Sequence, residues 1–398
     1  MKVLIAESHN LDRPDPLGSH HYIRLFKKAG FECLWLGPAI SPLHIFKPDE
    51  PNRRRFAVWR RGGTEVDGIG WLVPLTLLFY YNLPLLRSLT IGRNQYRYCL
   101  PPLAGQLHKA GFGEVDLLWC AGPVASSLLD LVPHRVSCYR LADRLDRFGG
   151  IPDNVGELQK ELIRRVDFVL ATSQSLLEWA RSVREDNVYY LPNGVSEIFF
   201  EDREVLPEDF PADGRPVVVY AGTIDTRFDL DTVAFGVRQL KELHFLLIGP
   251  LTVEGLKPGL DNLRAEDNFT WVGPKEYDRL PAYLQGSSVG IIPFYLNELT
   301  EAVNPIKYYE YLASGLPVVA PPMRELALMD GPLQSYSDKE GFCAALGQAL
   351  EERREQEGLQ ALLRGFAAGH TWENRFREVA GLVKRRLAEK SGLEGEGR

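Results

Sequence analysis

The chain has 398 residues, 45% of them hydrophobic and 25% charged, with a formal net charge of −7. That length allows two or three domains with ample core, and the balance is that of an ordinary globular protein. The acidic surplus argues against a nucleic-acid binder, which needs a basic surface.

Five scattered cysteines, Cys33, Cys99, Cys120, Cys138 and Cys343, form no CxxC pair. They read as buried thiols in a reducing compartment, not as a disulfide frame or a zinc site. The opening "MKVLIAES" has the pattern of a strand, not of a signal peptide. The next element is a Pro/Gly loop over 12–19, and "HHYIRLFKKAG" then predicts a helix stopped by Gly30, with "FECLWLG" as the following strand.

The apolar stretch "GIGWLVPLTLLFYYNLPLLRSL" (68–89) is broken by Pro74, Asn82 and Pro84, and its uninterrupted core is too short to span a bilayer. Two readings fit it. One is a buried or interdomain helix. The other is a surface that docks on a membrane or on a lipid-linked substrate, helped by Arg53, Arg54, Arg55, Arg60 and Arg61 nearby. Further strands are expected at 115–120, 135–142 and 168–173, with a helix over 154–166. This alternation predicts an α/β domain with a parallel sheet.

Past "YYLPNGVSEIFF" the chain turns polar and Pro-rich, which suggests a linker over 196–215. A second α/β unit begins at "PVVVYAGTI" (216–224), with strands expected at 244–250, 268–273, 289–294 and 316–322. The last strong element is an amphipathic helix in "TWENRFREVAGLVKRRLAE", with Trp372, Phe376, Val379 and Val383 at helical spacing, before a tail expected to be disordered. The expected division is a domain over 1–195, the linker 196–215, a domain over 216–370, a final helix over 371–390 and the tail 391–398. Two α/β halves facing one another across a linker make a natural ligand cleft.

"AVNPIKYYEYLASGLPVVAPP" (302–322) carries the sharpest chemical signal. Asn304 suits an N-cap and Pro305 the first helical position, and Gly315 should end the helix. Lys307 then lies in the first turn, where the helix dipole disfavours a cation unless an anion shares the site. The free amides of 305–307 can hold a phosphate, and Lys307 adds a point charge for it. Glu310, one turn on, has two acceptor oxygens that suit a pair of ribose hydroxyls. The other reading of Lys307 and Glu310 is a solvated surface pair.

In "YAGTIDTRFDLD" (220–231), Gly222 and Thr223 follow a strand directly, where glycine lets the backbone approach a phosphate, and Arg227 is near enough to share the anion. An ordinary strand-to-helix turn fits the same residues. There is no GxGxxG and no GxxxxGK[ST], so neither a dinucleotide nor a Walker-type site is indicated.

The run "NFTWVGPKEYDRLPAYLQGSSVGIIPFYLNELTEAVNPIKYYEYLASGLPVVA" resembles the donor-binding half of nucleotide-sugar glycosyltransferases with the GT-B fold. The nearest subgroup is the bacterial exopolysaccharide and teichuronic-acid type, similar to the xanthan glucuronosyltransferase. The resemblance implies two Rossmann-like domains facing across a cleft, with the C-terminal helix crossing back to the N-terminal domain. It implies Glu310 at the donor ribose and Lys307 at the pyrophosphate. Asn304, Pro305 and Ile306 would lie under the diphosphate, Gly222 and Thr223 facing it, and Trp271 and Val272 in the segment whose backbone meets the nucleobase. Many retaining relatives have a further glutamate seven residues before the ribose one; here Val303 stands there, with Glu298 and Glu301 off register.

The N-terminal half should bind the acceptor. Gly18, Ser19, His20 and His21 form its candidate loop, with either histidine touching sugar or simply exposed. Asp143 and Asp146 follow a strand; Asp143 is the first choice for a catalytic base, with a cap or an arginine pair as the other reading. The implied reaction moves a sugar from a nucleoside diphosphate sugar, by resemblance a UDP-sugar, to a hydroxyl of a glycan or lipid-linked acceptor. It needs no metal and no cofactor, and serves cell-surface polysaccharide synthesis from the cytoplasm or the membrane's inner face. A nucleotide-sugar epimerase and a non-catalytic sugar-nucleotide binder share the fold.

Overall fold

The computed structural model describes residues 1–46 and 49–395. Contacts divide the chain into two compact units, one of residues Met1–Pro192 with Arg375–Arg398, the other of Asn193–Asn374. Both are built from short apolar strands joined through helices, which forces parallel pairing.

In the first unit the strands are β1 (Lys2–Ala6), β2 (Glu32–Leu36), β3 (Thr64–Val66), β4 (Ile69–Leu72), β5 (Val115–Cys120), β6 (His134–Leu141), β7 (Phe168–Ala171) and β8 (Val188–Tyr190). Among the described residues they form one sheet in the order β3-β4-β2-β1-β5-β6-β7-β8. Only β3 runs antiparallel, as a hairpin with β4 turned at Asp67 and Gly68, both at positive φ. The strand order reverses between β1 and β5. The backbone diverges at the carboxyl ends there, so a crevice forms in this kind of sheet.

The stretch 68–89 is not a helix. Its start pairs with β2 as β4, and residues 73–88 form isolated bridges at Leu75 and Thr76 followed by bends and turns. Pro74 and Pro84 remove amides that a helix would need. Leu77 (54% exposed), Leu83 (43%) and Leu85 (88%) face solvent there, and Leu85 holds a positive φ of 72°. No described helix is long and apolar enough to cross a membrane.

The second unit holds β9 (Val217–Ala221), β10 (His244–Ile248), β11 (Phe269–Trp271), β12 (Val289–Ile291), β13 (Val318–Ala320) and β14 (Gln334–Ser335). Its described strands form one parallel sheet in the order β11-β10-β9-β12-β13-β14, which reverses between β9 and β12. The stretch expected as a linker is packed onto this unit. Phe199 is fully buried, Asp209 pairs with Lys275 at 2.6 Å and accepts from the Tyr283 hydroxyl, and Asp213 meets the buried His244 at 2.6 Å.

The last helix, Trp372–Gly395, begins in the second unit and continues as part of the first. Phe376 packs edge-on against Phe26 at 4.9 Å, and Lys390 pairs with Asp167 at 2.7 Å. It extends through 395 where a disordered tail was expected from 391; residues 396–398 lie outside the described residues.

Candidate active site

The central feature of the second unit is the helix Ile306–Ala313, which follows β12. Tyr308, Tyr309 and Tyr311 are fully buried on it. Tyr311 fixes its height: the hydroxyl accepts the last amide of β9, that of Ala221, at 2.9 Å, and the ring occupies space left open by Gly290 of β12. The helix ends at Ser314, with Gly315 at φ 78° as expected.

Its start differs from expectation. Pro305 is the cap residue and no side chain caps the helix. Asn304 is instead buried in a bracket. Its Oδ1 accepts from the Asn193 amide at 3.1 Å, its carbonyl accepts from Asn193 Nδ2 at 2.8 Å, and its Nδ2 donates to the Tyr309 hydroxyl and to Glu325. Asn304 therefore holds the loop under the helix rather than closing the helix end. The cap residue offers no side chain to the first turn, where Ile306 is half-exposed.

Lys307 lies over that start. Its Nζ sits 5.5 Å from the Tyr220 ring centroid and 5.9 Å from that of Phe294. The stem rests on Gly222, where a Cβ would overlap lysine Cε and Nζ. So Gly222 opens the turn after β9 for a side chain of its own unit. Thr223 is fixed through its carbonyl, which accepts from the Tyr220 hydroxyl at 2.7 Å. Gly249, after β10, has no room for a Cβ against the Gly222 carbonyl, and its amide donates to Gly273 after β11 at 2.9 Å. Three glycines thus bring the strand ends into close backbone contact beside Lys307.

Arg227 reaches the same place, with its guanidinium 5.4 Å from the Phe294 ring. It is paired with Asp225 at 2.5 Å. Burial alone would raise the Asp225 carboxyl; Arg227 and Lys307 hold it below its usual range instead. Lys307 and Arg227 thus meet at a helix start without a side-chain cap, an arrangement suited to an anion.

Glu310 is 6% exposed, and its Oε1 accepts from the Tyr277 hydroxyl at 3.0 Å. Burial pushes its carboxyl up to about 6, against the pull of Lys307 and Tyr277. This is not a solvated Lys–Glu pair. Trp271 donates from Nε1 to the Gly249 carbonyl at 2.9 Å and stacks under Arg264, so its side chain is structural. Val272 donates its amide to Leu247 at 3.1 Å and packs on the core.

In the first unit, a cavity of about 530 Å³ opens at the reversal between β1 and β5. Asp143 lines it, with its carbonyl held by Gln159 Nε2 at 3.0 Å; Asp146 is taken up by Arg144 at 2.7 Å. Glu7, His9 and Arg55 are among the cavity's other polar walls, and Phe79, Tyr80 and Phe148 give it aromatic faces. Burial would raise Glu7, but His9 and the Ser8 amide hold it down to about 2. Sequence reading missed Glu7 and His9, which read as the end of a strand and the start of a loop.

Gly18, Ser19, His20 and His21 open the helix Gly18–Lys28, and all four are buried. The Arg140 guanidinium fills the space beside Gly18. His20 accepts from the Leu17 amide through Nδ1 at 3.2 Å and donates from Nε2 to the Asn10 carbonyl at 2.9 Å. Both ring nitrogens of His20 are occupied, so for His20 the expected sugar contact gives way to a structural role. Burial lowers His20 to about 4 and His21 well below its usual range, so both are neutral.

Residues 215–352 match the family model of glycosyl transferases group 1. The chain is a glycosyltransferase of the GT-B fold. Over 304 residues it is 26% identical to TuaH of Bacillus subtilis (strain 168), described as a glycosyltransferase of teichuronic acid biosynthesis; this covers 71% of the chain and 76% of that protein. Among solved structures, the sucrose-phosphate synthase of Thermosynechococcus elongatus superposes with a TM-score of 0.68 at 15% identity, covering 98% of this glycosyltransferase and 99% of that chain. Anabaena HepE in complex with UDP and glucose superposes at 0.66 with 12% identity, over 97% and 100% of the two chains.

Proposed function

We propose that this glycosyltransferase moves a sugar from a UDP-sugar to a hydroxyl of a cell-surface glycan acceptor. The observation that carries the reading is Lys307 resting on Gly222 at an uncapped helix start, one turn from the buried Glu310. Helix amides, Lys307 and Arg227 hold the diphosphate, and Glu310 takes the ribose hydroxyls. Uridine is supported by HepE, solved with UDP and glucose, and the acceptor class by TuaH of teichuronic acid biosynthesis.

Asp143 receives the acceptor's proton. The acceptor oxygen then bonds to the anomeric carbon as the bond to the diphosphate breaks, and the departing charge falls on Lys307 and the helix start. A base at Asp143 belongs to a single displacement, which inverts the anomeric carbon. Lys307 supplies the counter-charge that a metal would otherwise give. Turnover is expected to survive chelator.

The exposed Leu77, Leu83 and Leu85, with the exposed Arg60 and Arg61, support contact with an anionic membrane carrying a lipid-linked acceptor. Sedimentation with anionic vesicles, lost in a Leu83→Ser/Leu85→Ser variant, checks this.

Calorimetric titration with UDP, GDP and ADP tests the donor reading. UDP should bind best, and Lys307→Ala should weaken it roughly tenfold or more. Unchanged affinity in Lys307→Ala would refute the donor site. Full turnover in Asp143→Asn would remove the base.

A further inference from the structure

Glu310 sits on a helix among buried tyrosines, and the hydrogen bond from Tyr277 reaches it from another segment, 33 residues away in sequence. A glutamate has three rotatable bonds, and gripping two adjacent hydroxyls requires its carboxylate plane to be fixed. One oxygen is held by the tyrosine. The other makes no hydrogen bond to protein among the described residues.

Tyr277 is itself well supported. It opens the turn Tyr277–Arg279, closed by the Arg279 amide on the Glu276 carbonyl at 3.0 Å, and its ring meets the buried Phe199 edge-on at 5.3 Å. We propose that Tyr277 is a positioning residue for the donor's ribose: its hydroxyl locks the Glu310 carboxylate so that the second oxygen meets the vicinal diol. The assignment rests on the donor reading above and gives it a specificity element, recognition of a ribonucleotide over a deoxyribonucleotide.

The same bond keeps the group ionised. The titratable groups facing Glu310 are Lys307 and Tyr311 on its own helix and Tyr277 from the neighbouring turn. Lys307 and the Tyr277 hydroxyl favour the charged carboxylate, while burial opposes it. A protonated carboxyl offers the diol a poorer acceptor. Loss of the tyrosine hydroxyl therefore moves the acid-side loss of donor affinity to higher pH.

The test is titration of full-length protein with UDP and with 2′-deoxy-UDP between pH 5.5 and 8, for wild type, Tyr277→Phe, Phe199→Leu and Glu310→Ala. Tyr277→Phe should weaken UDP binding roughly 3- to 10-fold at pH 7, shrink the preference over 2′-deoxy-UDP, and shift the acid limb upward. Phe199→Leu loosens the ring's packing but keeps the hydroxyl, and should preserve the preference. If Tyr277→Phe leaves both the preference and the pH profile as in wild type, whatever its overall affinity, the positioning role is overturned. If Glu310→Ala binds UDP as wild type does, the ribose site itself is wrong.

Discussion

Gly222 and Lys307 depend on each other. The lysine lies where a methyl group on residue 222 would be, so Gly222→Ala must displace the ammonium from the helix start. Residue 222 also holds a positive φ of 157°, where an alanine is strained. We expect Gly222→Ala to weaken UDP binding about tenfold and to lower the melting temperature as well, which titration and thermal denaturation together check. Glu310 carries the opposite trade. Its carboxyl rises from an ordinary 4.5 to about 6 in the folded chain. Its stabilising contribution is present below about pH 4.5 and lost as the pH rises through about 6, so at neutral pH the buried charge is a cost. Glu310→Gln should therefore raise stability at pH 7 by on the order of 1–2 kcal/mol while lowering donor affinity. A variant that loses both would contradict the burial argument.

At the scale of elements, the loop beneath the helix Ile306–Ala313 is pinned by Asn304. Asn304→Ala strands the buried Asn193 amide and removes a donor from Glu325, which is 1% exposed. A loss of roughly 2–4 kcal/mol is expected, read from the urea midpoint. This element also shows what local rules reach. Lys307 and Glu310 were legible because helical register is a short-range rule, and Gly315 because a positive φ calls for glycine. Asn304 was misread as a cap because its true partner, Asn193, is 111 residues away. Tyr277 was invisible for the same reason. The helix reading of 68–89 failed because its β4 segment is fixed by pairing with β2, a contact that apolar periodicity does not encode. The alternation of strands and helices, by contrast, repeats along the chain, so both sheets could be expected from it.

The two units answer acid differently. In the first, His20 is lowered to about 4 and His21 is also depressed, so the unfolded chain takes up protons first as the pH falls. Their contribution is present above about pH 6.5 and lost progressively toward about 4. Glu7, held down to about 2, adds a further loss below its ordinary 4.5. In the second unit Glu310 has the reverse sign over pH 6 to 4.5. Scanning calorimetry from pH 7 to 5 should show the first unit's transition falling further than the second's, with UDP marking the second by raising it. Transitions that fall together would count against this assignment. Neutral buried histidines were not foreseeable from "GSHH", where a loop and a helix start look alike until Trp35 covers the ring of His20 at 4.4 Å.

The helix Trp372–Gly395 ties the first unit to a part of the chain made only after the second unit. A ribosome that has just finished residue 192 has not yet supplied Phe376, so Phe26 waits without its partner while the second unit is translated. At about 5–20 residues per second that wait is roughly 10–40 s. During it the nascent first unit exposes an apolar face, which makes translation speed and chaperone access part of how this enzyme reaches its native state.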